Sequence, residues 1–220
     1  MTFERVIQGK DITIYCDHKL YNFSKEFIKY YKKDIIRIKK ELGLTINIEA
    51  IFALFSDTKP FEPLPYKETN PSFAGFFTDT GVAAFIKQNG KYSNDDLYKR
   101  LMHEIIHYLY QNFIYGKRKK RITWVDEGLA CFLSNQYYNL DNHDKYQNFI
   151  RKNLLNNINL NNLNHEDQSF GNQNGYNLSY IAIRYLYENN THEEFLNIIK
   201  NKKRLKKIGN TILSNIKKKN

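Results

Sequence analysis

The sequence predicts an α+β fold, a single domain over residues 1–220 with two sublobes: mixed α/β over 1–90, with a small sheet, and mainly α-helical over 91–220. Three observations predict it. Before Gly90, short apolar runs with strand-like alternation recur between turn residues. Among them lies one long segment, Asn22–Leu42, whose apolar residues follow helical spacing. Beyond Gly90 the strand pattern stops and helical periodicity dominates to the end of the chain.

Each element has its own justification. Thr2–Ile7 and Asp11–Cys16 read as strands, the second alternating through Ile12, Ile14 and Cys16. In Asn22–Leu42 the apolar positions are Phe23, Phe27, Ile28, Tyr31, Ile35, Ile38 and Leu42, with lysines on the other face and Gly43 as a stop. Ile46–Phe55 reads as a strand too apolar to be exposed on both faces. After the proline-bearing loop Lys59–Pro71, Ser72–Phe77 and Val82–Ile86 form a hairpin that turns at Thr78-Asp79-Thr80-Gly81. Ser93 caps the next helix with Asp96 at its third position, and Gly116 lies past its end. Another helix starts at Thr123, read as its cap in a capping-box arrangement with Asp126. Asn153–Asn177 reads as a long loop with partial helix, Ile181–Leu186 has helical period, and Thr191 to Glu194 form a capping box opening a terminal helix.

Composition bounds the function. With 41% hydrophobic, 26% charged and 15% aromatic residues the chain is globular. The first sixteen residues carry Glu4, Arg5, Lys10 and Asp11 and no apolar core, so no signal peptide is expected. No run approaches the ~18 apolar residues of a spanning helix. Cys16 and Cys131 are too few for a disulfide framework, and both suit a reducing, cytoplasmic location. The net charge of +11 gathers at Lys117–Arg121 and in the C-terminal lysine cluster from Lys200 to Lys219. Such clusters can follow a phosphate backbone, but no nucleic-acid motif accompanies them, and a solvated surface is the plainer reading.

The chemistry centres on LMHEIIHYLY, Leu101 to Tyr110. Residues four apart on a helix share a face, so His103 and His107 can offer imidazole nitrogens to one point. That is what a Zn²⁺ site needs from a single helix, with Zn–N bonds of about 2.0–2.1 Å. Glu104, beside a ligand in sequence, can reach a water at the metal and act as its base. Two imidazoles leave zinc short of a third protein ligand. Glu127 sits one turn inside the helix that starts at Thr123, where Gly128 and Ala130 allow a close helix contact, and it can complete the set. His18, His143, His165 and His192 share no ligand spacing and read as surface or loop residues.

HEIIH at His103–His107 followed by WVDEGLA at Trp124–Ala130 resembles the gluzincin metallopeptidases, most closely the peptidase MA-like group related to aminopeptidases and bacterial collagenase catalytic domains. The resemblance implies a zincin-like fold, Zn²⁺ held by His103, His107 and Glu127, and Glu104 as general base and acid. It implies that Phe73–Phe77, through Ala74, Gly75 and Phe76, is the edge strand along which a substrate backbone lies. It also implies a tyrosine facing the zinc, Tyr176 or Tyr180, that stabilises an oxyanion. Where many gluzincins place an acidic residue about a turn after the third ligand, this chain has Cys131, read as a packed thiol. The group that orients the imidazoles is therefore open among Asp126, Asp95, Asp96 and a backbone carbonyl. No amine-anchoring motif of the aminopeptidases is present. The function expected is a zinc-dependent metalloendopeptidase acting on peptides or proteins. The alternative is a proteolytically silent zinc domain that binds nucleic acid or acidic partners through its basic patches.

Overall fold

The computed structural model describes residues 4–45, 47–57, 72–116, 121–137, 140, 142–153, 158–165 and 168–219. The expected loop Lys59–Pro71 and the basic stretch Lys117–Lys120 lie outside the described residues. Among the described residues the fold is mixed α+β, with a five-stranded sheet. The chain forms two compact units, Met1–Tyr108 and Leu109–Asn220.

The first unit is built on the sheet β1 (Arg5–Gly9), β2 (Ile12–Cys16), β3 (Ala50–Phe55), β4 (Phe73–Phe77) and β5 (Gly81–Ile86), in the order β1-β2-β3-β5-β4. β2, β3 and β5 run parallel, while β1 and β4 pair antiparallel at the two ends of the order. β3 begins at Ala50 where the sequence suggests Ile46. Its neighbour explains this: Ala50 pairs with Ile12, the first residue of β2, so residues 47–49 have no ladder to join. Likewise β1 runs on to Gly9, beyond the expected Ile7, because Gly9 still pairs with Ile12 across the tight turn. The hairpin forms as read, with Thr78 N donating to the Gly81 carbonyl.

Helix α1 (Tyr21–Glu41) follows a short 3₁₀ turn at His18–Leu20 that Asp17 caps by accepting from Leu20 N. Its apolar face carries Phe23, Phe27, Tyr31, Ile35 and Ile38, all buried. Phe27 meets Phe52 of β3 edge-on at 5.0 Å between ring centres. Each such aromatic contributes roughly 1.5–3 kcal/mol by leaving water. Helix α2 (Asn94–Leu109) starts from a reciprocal Ser93–Asp96 cap: Asp96 N donates to Ser93 Oγ and Ser93 N to Asp96 Oδ2. It continues as a wider turn, Tyr110–Tyr115, closed by Gly116 at φ 101°, whose N–H reaches back to the Gln111 carbonyl.

The second unit is helical: α3 (Thr123–Leu133), α4 (His143–Asn153), α5 (Ser169–Asn172), α6 (Gly175–Glu188), α7 (His192–Lys200), α8 (Lys202–Gly209) and α9 (Ile212–Lys219). α3 is buried along nearly its whole length, as a helix apolar on most sides must be. α6 lies tightly against it at Gly128, where an added Cβ would sit 2.6 Å from both the Ser179 carbonyl oxygen and Ile183 Cγ1. Only glycine permits that approach. The expected Thr123 cap is not what starts α3. The N-cap is Ile122, which makes no side-chain cap bond, and Val125 N and Asp126 N both donate to the Ile122 carbonyl. With Ile122 as N-cap the third helical position falls on Val125, which cannot close a capping box, and Asp126 Oδ2 accepts from Arg121 instead. The Thr191–Glu194 capping box opens α7 as read.

Candidate metal centre

In the first unit, α2 and β4 present matching faces. β4 sends Phe73, Gly75 and Phe77 to one side. α2 offers Arg100, Glu104 and His107 at near-helical spacing. The pairs meet in register. Arg100 lies over the Phe73 ring at 5.9 Å. A Cβ added to Gly75 would fall 2.9 Å from Glu104 Cγ. The Phe77 and His107 rings are 5.6 Å apart. Ala74 points the other way into a small apolar cluster with Phe85 and Phe55, and Phe76, on that same side of the strand, is exposed. The stem of Glu104 thus stands over the glycine of the edge strand.

One turn apart on α2, His103 and His107 are both buried, with their Nε2 atoms 2.9 Å from each other. Asp95 and Asp96, in the first turn, are exposed and held by Lys99 and Ser93 respectively.

In the second unit, α3 carries two neighbouring buried carboxylates, Asp126 and Glu127. Charges taken out of water need partners. Arg121 Nη1 donates to Asp126 Oδ2 at 2.9 Å, and His165 Nε2 lies 2.9 Å from Glu127 Oε1. His165 is a contact the sequence did not announce. It is a partly exposed loop residue, as read, yet it meets Glu127 from 38 positions away. Its ring also packs against Phe170 at 4.7 Å and near Tyr176 at 6.0 Å. Tyr176 is half-buried in the first turn of α6, whereas Tyr180 is buried against Phe132 and Tyr137. Cys131 is fully buried.

The ligand atoms of His103, His107 and Glu127 all lie within 4.8 Å of one another, and all three residues are buried. Two imidazoles and a carboxylate are the donor set of a catalytic zinc site that keeps a position open. Bonds of that kind separate tetrahedral ligand atoms by about 3.3 Å. The two Nε2 atoms, 2.9 Å apart, would offer two nitrogen donors to one ion. The residues present fit Zn²⁺.

The collagenase peptidase family matches the chain over residues 68–209, well over half its length. The chain belongs to that family. The match takes in β4, α2, α3 and α6, and with them His103, His107 and Glu127. Collagenases are zinc metallopeptidases, and this chain is accordingly a metallopeptidase that hydrolyses peptide or protein substrates and uses a metal cofactor, typically zinc. No curated protein matches the chain. Among the described residues, no helix is long and apolar enough to cross a membrane.

Proposed function

We propose that this collagenase-family chain is a zinc-dependent endopeptidase of gluzincin, zincin-like type, in which His103, His107 and Glu127 hold the ion and Glu104 serves as general base and then acid. The observation that carries this reading is the buried group of two imidazoles and one carboxylate with a second glutamate next to a ligand on the same helix. When bound, Zn²⁺ supplies Lewis acidity, polarising a scissile carbonyl and acidifying water.

The remaining work belongs to the chain. An extended substrate adds to the edge of β4 by main-chain hydrogen bonds along Ala74, Gly75 and Phe76, which demand little of its side chains. Gly75 brings that backbone close to the Glu104 stem. The Glu104 carboxylate takes a proton from the attacking water and returns it to the departing amide nitrogen. The Tyr176 phenol donates a hydrogen bond to the oxygen that gains charge at the tetrahedral carbon. His165 and Arg121 act behind the reacting groups: one holds Glu127, and the other holds its neighbour Asp126.

The test is direct. Purified protein carries about one zinc per chain, as a three-residue catalytic site implies. Glu104→Gln lowers kcat/KM on an internally quenched peptide by about 10²–10⁴-fold while the metal stays. A His103→Ala, His107→Ala double variant loses the metal. Undiminished hydrolysis by Glu104→Gln, or full metal content in the double variant, refutes the assignment.

A further inference from the structure

The helical unit contains a cavity of about 770 Å³ that the hydrolytic chemistry leaves unused. Four cations line it. Lys202, Lys206 and Lys207 come from one side of α8, and Arg121 stands just before α3. Among the described residues that line it there is no carboxylate. Arg121 is already bridged to buried Asp126, so most of the cavity's positive field comes from α8.

This wall is held in place. Asn161 Nδ2 donates to the Lys206 carbonyl at 2.7 Å and to Asn210 Oδ1 at 2.7 Å, while Asn161 Oδ1 accepts from the buried Trp124 indole at 3.2 Å. One amide side chain therefore ties both ends of α8's last turn to α3, and the lysines project from an ordered surface. Between the cations the lining is mixed: Ile122, Trp124, Leu160 and Leu163 supply hydrocarbon, and Thr123, Asn161, Asn164, His165 and Asn210 supply polar groups. A compact inorganic anion needs only convergent donors. A cavity this large, with hydrocarbon between its charges, instead suits a chain whose carboxylates sit on aliphatic stems. The cavity also approaches Glu127, since His165 lines it and lies 2.9 Å from the Glu127 carboxylate.

We propose that this cavity receives an acidic segment of the peptide substrate, making the α8 lysines a specificity-determining surface for Asp- and Glu-bearing substrates. The proposal rests on the peptidase reading. Nothing in the charge pattern of β4, where a substrate backbone needs only main-chain bonds, would impose such a preference.

The experiment compares two quenched peptides identical around the cleaved bond, one flanked by Asp and Glu residues and one by Ser and Gln. Zinc-loaded full-length protein is used at low and at high salt. The wild type favours the acidic peptide by about 10-fold in kcat/KM at low salt and loses most of that advantage at high salt. Lys206→Glu with Lys207→Glu abolishes the preference and leaves the neutral peptide's kcat/KM unchanged. Lys203→Glu with Arg204→Glu, an equal charge change on the same helix outside the cavity lining, keeps it. A wild type without preference, or equal loss in both double variants, overturns the proposal. If neither peptide is cut, the peptidase reading falls on its own, and fluorescence anisotropy of the labelled acidic peptide decides the site. Binding weakened only by the Lys206, Lys207 pair supports it. A labelled oligonucleotide that displaces the peptide and is lost with the same pair overturns it in favour of nucleic acid.

Discussion

Gly75→Ala separates positioning from folding at this site. The added methyl would stand 2.9 Å from Glu104 Cγ and 2.9 Å from the tip of the Phe73 ring. Carbon atoms rest at about 3.5–4.0 Å, so each neighbour must withdraw by roughly 0.6 Å or more. Both obstacles are side chains, and the β4 backbone keeps its pairing of Gly75 with Ala84. Folding should therefore suffer little, by less than about 1 kcal/mol if the two side chains relax as core neighbours do. Catalysis should suffer more, because the group that moves is the proposed base. A misplacement approaching 1 Å costs on the order of 100-fold in rate. The expected result is kcat down by about 100-fold, metal content unchanged and a melting temperature within about 3 °C of wild type, since 1 kcal/mol shifts a domain of this size by only ~2–4 °C. Full activity in a folded Gly75→Ala protein would refute the placement of Glu104 as the working carboxylate. Loss of metal together with activity would show that the strand supports the ligands and not the base.

Other substitutions probe different parts of the fold. Gly128→Ala meets a backbone carbonyl at 2.6 Å, which cannot swing aside, so α3 and α6 must separate. A loss of about 1–3 kcal/mol is expected in chemical denaturation. His165→Asn removes the ring that reaches Glu127, and zinc affinity measured by competition with a chelating dye should fall about 10–100-fold with little change in melting temperature. Stripping zinc from the wild type should lower its melting temperature, and restoring metal at 100 times its dissociation constant should return about 2.7 kcal/mol. The Glu194 carboxylate is held below its usual range by the Thr191 backbone N–H and hydroxyl, so its cap stabilises α7 above pH 4.5 and that contribution is lost as the pH falls. Amide exchange in α7 should therefore differ between wild type and Glu194→Gln near neutrality and converge in acid.

What could be read from the sequence is what local spacing determines. His103 and His107 share a face because helical residues four apart always do, and the Ser93 and Thr191 caps form within a single turn. Alternation found β2, and the turn at Thr78–Gly81 between two apolar runs found β4 and β5, because both signals are local. The misread features were set by contacts that residue spacing does not encode. β3 starts at Ala50 because β2 starts at Ile12, and no residue between 46 and 50 signals it. Thr123 looks like a cap, but the helix starts from Ile122, one residue earlier, and the Asp126 carboxylate accepts from Arg121 instead.

His165 shows the same limit at the centre of the site. Nothing in its own neighbourhood distinguishes it from His143 or His192, and its loop carries no ligand spacing. Its role arises from Glu127, a carboxylate buried in α3 that needs a hydrogen-bond donor wherever the fold can bring one. The family pattern names the buried acid but not the donor. A buried ionised ligand thus predicts that some polar side chain will arrive, while only the packed loop before α5, with Phe170 against the imidazole, decides that it is residue 165. The requirement is legible in the sequence; the residue that meets it is a property of the fold.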